Sequence, residues 1–383
     1  MLVDLGAHVI KLEPPDGDLT RVAWPRNGSM ASYFAQQNCG KKNISLDMRQ
    51  PEAIQLILQL IDNVDLVVEN FRPDVMGRFG LGWDVLHARN PRLIYATITG
   101  YGTTGPWAKR RAFAPVISAE MGVSTIQADA FQSTVRSDAL SHADVYSGLE
   151  CLAGILAALY QRERTGRGQQ VDVSMAETML SVNEHMHWWL QRDLDGLVDT
   201  NAVPSYRTQD YPVPTVCGQQ IIISGHPAEA GTFERYCDMI GRPDLLADPR
   251  CATISLRRVN LGFLHEAISA WAAGFDSIDV VLDEVDKAGF AVGVVRSVAE
   301  AAVLPWAEER GAIVSIDNRA GGTLRIPNSP IRFSDADAGI RGIARFRGED
   351  NRAVLHDVLG LDDAAIDGLE ARGVLSSRQP KAR

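Results

Sequence analysis

The stretch His142-Ala-Asp-Val-Tyr-Ser-Gly148, Leu149-Glu-Cys-Leu-Ala-Gly-Ile-Leu-Ala-Ala-Leu159, Tyr160-Gln-Arg-Glu-Arg-Thr-Gly-Arg-Gly168, Gln169-Gln-Val-Asp-Val-Ser174 decides how the rest of the chain is read. Between Leu149 and Leu159 only Glu150 is charged, so the run predicts a helix that is buried rather than laid on the surface. Arg162, Arg164 and Gly166 mark its end: positive charge suits the carboxyl terminus of a helix, and glycine supplies the left-handed cap. Asp144 then falls in the first turn or just before it. There the helix dipole and free N–H groups favour a carboxylate, keeping it ionised and available as a nucleophile. The competing reading is that Asp144 does no more than cap the helix. Val171-Asp-Val-Ser174 follows as a short strand.

Outward from this stretch, 383 residues are enough for a large core and for two domains. A hydrophobic share of 45% and a charged share of 22% are those of a globular protein. The net charge of −10 argues against a nucleic-acid partner and against a basic membrane-binding face. No apolar run reaches the roughly 18 residues that span a bilayer. The start Met1-Leu-Val-Asp-Leu-Gly6 has no basic region or cleavage site, so a cytoplasmic location is expected. Cys39, Cys151, Cys217, Cys237 and Cys251 are scattered and odd in number, which suggests neither a disulfide framework nor a zinc site. His185 and His187 diverge on a helix beside Trp188 and Trp189, so they read as core or interface, not as metal ligands.

In chain order, Leu2 to Gly6 reads as a helix tail closed by glycine, and His8 to Glu13 as a strand broken by Pro14, Pro15 and Gly17. Asn43 to Leu46 is a strand leading into a helix through Leu60, with Pro51 in its first turn. Asp65-Leu-Val-Val-Glu69 reads as a strand covered on both faces. It runs into Asn70-Phe-Arg-Pro-Asp-Val-Met-Gly-Arg78, a loop at the carboxyl end of a parallel strand, where doubly wound folds bind nucleotides. Gly80 and Gly82 form no dinucleotide fingerprint, which counts against a dehydrogenase. Pro91 to Thr99 is a strand closed by the glycine-rich Gly100-Tyr-Gly-Thr-Thr-Gly-Pro106, whose composition fits a lid and a plain connection equally. A helix opens after Lys109-Arg-Arg111-Ala-Phe113-Ala114-Pro115. Another runs from Ala176 to about Arg192. Polar, proline-bearing sequence from Asp193 to Pro214 reads as a linker. Beyond it come a strand at Gln219–Ser224, helices at Thr232–Ile240 and Leu261–Ala273, and strands at Gly289–Val295 and Ala312–Ile316. Gly241 to Arg250 is read as a structural turn. Helices Asn351–Leu359 and Asp362–Ala371 close the chain, and the tail from Ser376 is expected to fray.

The Asp-x-x-Ser-Gly of Asp144 to Gly148, the small-residue helix, and Arg-x-Arg-Thr-Gly-Arg-Gly-Gln before Val-Asp-Val-Ser resemble the class III coenzyme A transferases, the formyl-CoA transferase-like or CaiB/BaiF family. Gly17-Asp-Leu-Thr-Arg21, Glu69-Asn-Phe71 with Arg78, Gly241-Arg-Pro-Asp-Leu-Leu-Ala-Asp-Pro-Arg250 and Gly322 to Ser334 extend the resemblance over nearly the whole chain. It implies that Asp144 is the nucleophile that becomes acylated. It also implies that Arg21, Leu46, Arg49, Asn70, Phe71, Arg78 and Arg111 contact coenzyme A, which is a substrate here; no permanently bound cofactor is expected. The expected architecture is α/β, with a large doubly wound domain built from both chain ends. Residues 1–192 and 301–383 form it, 193–210 link, and 211–300 make a smaller α/β domain. Two such chains interlock in the family, so a homodimer is expected.

The chain departs from the family in places. Members carry a further strand and tight turn before the point matched by Met1. The acidic residue usual after the aromatic at Phe113 is Ala114. No glycine-rich loop of the oxalate-type enzymes stands between Asp193 and Gly218, so oxalate is not the expected acceptor. The reading is therefore a transferase moving coenzyme A from an acyl-CoA to a carboxylic acid. The alternatives are an α-methylacyl-CoA racemase, which in the family has a histidine and an aspartate where Phe113 and Ala114 stand, and a non-catalytic subunit of a heteromeric transferase.

Overall fold

The computed structural model describes residues 1–183, 186–191 and 213–378. The chain divides into two compact units, one of Met1–Ile117, His142–Thr178 and Ala301–Arg383, the other of Ser118–Ser141 and Met179–Glu300. Residues 118–141, read from sequence with the large domain, thus cluster with the second unit. The expected linker at 193–210 and His185 lie outside the described residues.

In the first unit, β1 (Ile10–Glu13) pairs in parallel with β2 (Lys42–Ser45), Ile10 opposite Lys42. A second parallel sheet takes β3 (Leu66–Glu69), β4 (Ile94–Thr99) and β5 (Gln170–Ser174) in that order, with Glu69 opposite Thr97 and Thr99 opposite Ser174. Among the described residues the parallel strands of this unit form two sheets, in each of which the strand order follows the chain. Strand β3 is an edge, and its residues are half-buried or exposed where cover on both faces was expected.

Pro51 opens helix α1 (Pro51–Ile61), where its fixed φ suits the first turn and its missing N–H is no loss. Ala53, Leu56, Ile57, Leu60 and Ile61 recur at three- and four-residue spacing and bury one face. That face joins Ile44 and Leu46 of the first sheet and its flank, and Val354, Leu355, Ile366 and Val374 from the closing helices Asn351–Leu359 and Asp363–Ala371. Each such side chain contributes about 1.5–3 kcal/mol by leaving water, which ties the last residues of the chain to the first sheet. The tail does not fray at Ser376: Leu375 bridges Leu46, and Arg378 bridges Arg347 in antiparallel register.

The short α2 (Val75–Arg78) follows β3, and the long α3 (His142–Thr165) precedes β5. Gly166 ends α3 at φ 74°, the left-handed cap its sequence calls for. Ala143, Ser147, Cys151, Leu152, Ile155, Ala158 and Arg162 form the buried face of α3. Cys151 and Ile155 meet Ala96 of β4 in one apolar cluster, against which Ile98, Val171 and Val173 pack. The opposite face, Val145, Leu149, Leu156 and Tyr160, is exposed, so the all-round burial expected of this helix is corrected to one side. By length and composition alone α3 would cross a membrane, but its buried face is a sheet-packing face that includes an arginine. The helix expected from Ala176 to Arg192 is instead α4 (Met175–Ser181) and α5 (Met186–Gln191). The backbone carbonyl of Asn183 accepts a turn hydrogen bond from Met186 N at 3.0 Å between them.

The second unit is a three-stranded antiparallel sheet, with Gln219–Ile223 between Thr215–Val216 and Val292–Val294. Phe233, Tyr236, Leu264, Ile268, Val281 and Val285 fill its core. Gly241 to Arg250 is the structural turn expected, with Arg242 paired to Asp244 and Arg250 to Asp248, each at 2.7 Å.

Candidate active site

Helix α3 is fixed along its sheet by its far end. The buried Arg162 donates through Nη1 to the Asp65 carboxylate at 2.9 Å and to the carbonyls of Asp65 and Arg92 at 3.5 and 3.3 Å, at the amino ends of β3 and β4. From Arg162 back to Asp144 the helix rises about 27 Å, whereas β4 spans only about 20 Å. Asp144 therefore stands beyond the carboxyl ends of the strands, the edge where α/β sheets present loops to ligands.

Asp144 is the third residue of α3, inside the first turn and past the capping position. The capping role is thereby ruled out. Its side chain is exposed, and among the described residues no hydrogen bond or ion pair engages its carboxylate. Desolvation by the surrounding atoms pushes its pKa above the ordinary aspartate value. This is opposite to the expected effect of the dipole, which its surroundings outweigh.

Two loops leave the same edge. After β3, the Glu69 carboxylate accepts the Phe71 N–H at 2.7 Å and the Thr97 hydroxyl at 2.6 Å. Burial, helped by Asp172, pushes its pKa up against these hydrogen bonds and that of Tyr95. The Glu69 contacts set the course of Asn70 and Phe71, both exposed. Arg78 ends α2, exposed. After β4, the glycine-rich loop is tied down: Thr103 donates its hydroxyl to Asp172 of β5 at 2.5 Å, and Tyr101 packs edge-on against Trp107 at 5.3 Å. Arg110 lies 4.2 Å over the Trp107 ring. Lys109 reaches Asp74 at 3.9 Å, joining this loop to the one after β3. The structure thus brings the segments bearing Asn70, Phe71, Arg78 and Arg111 together. Arg111 is exposed.

The remaining expected contacts lie at the carboxyl ends of β1 and β2, and two need correction. Arg21 is not a free arginine: Nε and Nη2 hold the buried Glu13 at 2.7 and 2.8 Å, Nη1 binds the Arg345 carbonyl at 3.0 Å, and the guanidinium lies 3.9 Å from the Phe34 ring centre. A carboxylate buried at the end of β1 demands such a partner. The Leu46 side chain is in the core, and its N–H bonds the Glu13 carbonyl, so neither reaches a ligand. Arg49 is exposed, forked onto Asp47 at 2.7 and 3.0 Å.

Sequence reasoning passed over Glu69, Asp172 and Lys109. Glu69 is the last residue of β3 and Asp172 the central residue of β5, both inside quoted motifs, which is the signal that could have found them. No group of three or more metal-ligating side chains occurs among the described residues, and the five cysteines are free.

The model of CoA-transferase family III matches residues 1–351. The chain is 32% identical to a succinyl-CoA–D-citramalate CoA-transferase of Chloroflexus aurantiacus, over 98% of this chain and 93% of that one. It is 33% identical to an acetyl-CoA:oxalate CoA-transferase of Acetobacter aceti, over 88% and 85%. A CaiB/BaiF family protein from Brucella suis superposes with a TM-score of 0.74 at 29% identity, over 93% of each chain. Matched by the family model over most of its length and by a relative of 32% identity, the chain belongs to CoA-transferase family III.

Proposed function

We propose that this chain moves coenzyme A from an acyl-CoA to a carboxylic acid by covalent catalysis at Asp144. The observation that carries the reading is the unengaged carboxylate in the first turn of α3, beyond the carboxyl ends of β3, β4 and β5. An Asp144 oxygen attacks the thioester carbonyl, the carbon–sulfur bond breaks, and the coenzyme leaves as a thiolate from a mixed anhydride. The thiolate then attacks the Asp144 carbonyl, releasing the donor acid and leaving an aspartyl thioester. The acceptor carboxylate displaces the thiolate to give a second anhydride, and the thiolate attacks the acceptor carbonyl, freeing Asp144. One thioester replaces another, so no external energy source is needed. Asn70, Phe71, Arg78 and Arg111 line the two loops that would hold the coenzyme, with Arg49 as a further cation.

The named relatives act on D-citramalate and oxalate, which points to a small dicarboxylic acid as acceptor and weighs against the expectation that oxalate is a poor guess. The segment on which that expectation rested lies largely outside the described residues. Racemisation needs a proton carrier at the place of Phe113, and a phenyl ring cannot serve.

Incubation with acyl-CoA and hydroxylamine should convert Asp144 to a hydroxamate, read by peptide mass spectrometry, with no deuterium entering the substrate α-carbon from deuterated water. Deuterium at that carbon without an adduct would establish the racemase instead. Neither signal with any acyl-CoA would favour the non-catalytic subunit.

A further inference from the structure

The carboxyl ends of β1 and β2 carry more positive charge than the protein around them neutralises. Arg347 donates through Nη1 to the Ser45 hydroxyl at 2.8 Å and to the Ser376 hydroxyl. Among the described residues its Nε and Nη2 have no partner, and it forms no ion pair. Glu13, the buried acid beside it, is already forked by Arg21. Asp16 is exposed and acts on Arg347 only at longer range, as it does on Arg49.

Directly across from Arg347 stands a second arginine. Arg378 pairs with it in an antiparallel bridge, its N–H on the Arg347 carbonyl at 2.9 Å. Residues opposite one another in such a pair project to the same side, and like charges there repel. Burial lowers the Arg347 pKa, and Arg21 and Arg378 lower it further against the pull of Glu13. The arrangement is built, not frayed: Gly348, at φ 69°, lies so close to the tail that a Cβ there would come within 2.2 Å of the Ser376 carbonyl. Gly17 packs against the Arg347 side chain, where a Cβ would lie 3.3 Å from its Cδ. Ser45, whose hydroxyl Arg347 holds, is fully buried at the last position of β2.

We propose that Arg347 and Arg378, backed by the Ser376 hydroxyl, bind a phosphomonoester dianion. Resting on the transferase reading, the dianion is that of the nucleotide end of an acyl-CoA. A planar guanidinium with free Nε and Nη2 suits two phosphate oxygens at once, and the opposed Arg378 supplies the second charge. Arg21, the arginine expected from sequence to meet the nucleotide, acts here by holding Glu13, so that this carboxylate does not occupy Arg347.

The test is calorimetric titration of the full chain with coenzyme A, 3′-dephospho-coenzyme A and adenosine 3′,5′-bisphosphate. Wild type should bind coenzyme A at least about tenfold more tightly than its dephospho form. Arg378→Ala and Arg347→Met should each shrink that ratio to below about threefold while leaving the dephospho affinity unchanged. Arg378 is exposed and bridges through its backbone, so its variant decides the matter if Arg347→Met does not fold. An unchanged ratio in folded Arg378→Ala overturns the proposal and leaves the transferase reading intact. If wild type binds neither form of the coenzyme, the transferase reading fails. Binding of the bisphosphate that Arg378→Ala abolishes would then still support the phosphate site, and no binding of it would overturn that as well. Equal affinity for inorganic phosphate and the bisphosphate, both lost in Arg378→Ala, makes this a free-anion site and overturns the nucleotide assignment.

Discussion

At the scale of single residues, two carboxylates with opposite pKa shifts set apart structure and chemistry. Burial acts to raise the pKa of Glu13, but the hydrogen bonds and charge of Arg21, with Asn43 and Lys11, prevail and hold it below the ordinary glutamate value. Its stabilisation is therefore complete above the pKa of an unfolded glutamate and fades as pH falls through the folded one. Arg21→Ala should lower the unfolding free energy by about 3–5 kcal/mol at neutral pH, since it leaves a buried charge unpaired. Denaturant unfolding checks this, and a variant that lost coenzyme affinity but no stability would restore Arg21 to the ligand. Asp144 has the reverse sign. Its raised pKa means that stability is favoured below the unfolded value and lost as pH rises through the folded one. Asp144→Asn should consequently be at least as stable as wild type at pH 7, by thermal unfolding, while turnover disappears. In the wild type, kcat/KM should fall on the acid side with a pKa above that of an ordinary aspartate, because only the ionised carboxylate attacks. A flat acid limb would contradict this.

At the scale of elements, the carboxyl edge of β3, β4 and β5 works because each departing loop is pinned by a residue of the sheet. Glu69 holds the Phe71 N–H and Asp172 holds Thr103. Helix α2 is thereby left free to present Arg78, which has no partner among the described residues. Arg78→Ala should leave the thermal midpoint unchanged, yet weaken coenzyme A about tenfold through loss of a charge-assisted contact worth about 1.5–3 kcal/mol. Calorimetry reads the affinity; an unchanged value would remove Arg78 from the binding loops. The glycine-rich segment after β4 shows why composition misleads here. Glycines allow a lid, but the Asp172 tie and the Tyr101–Trp107 contact make it a held connection.

At the scale of the whole molecule, the exposed face of α3 is the feature that a lone chain does not account for. Val145, Leu149, Leu156 and Tyr160 are apolar and open on the helix that bears Asp144. Grouped apolar exposure of this kind marks an interaction surface, and we propose that a second copy of the chain covers it, as the interlocked dimer implied by the family resemblance would require. Interlocked subunits must unfold before they separate. Tagged and untagged protein mixed under native conditions should therefore show no exchanged dimers over hours by affinity capture, whereas rapid mixing of tags would exclude interlocking.

The sequence by itself determined most of the elements and the family. Helix α3, its glycine cap, strands β1 to β5 and the closing helices follow from local periodicity and from Pro and Gly at helix ends, which are properties of neighbouring residues. The motif around Asp144 carried the family for the same reason. Only the tertiary structure decided what meets across the chain. Arg347 touches Ser45, 302 positions away, and no local pattern encodes such a contact. Arg21 is paired because Glu13 is buried, and burial is settled by packing rather than by the Gly-Asp-x-x-Arg turn. The sign of the Asp144 shift belongs to the same class: position on the helix predicts the dipole, but desolvation depends on what is packed around the first turn, and there it prevails.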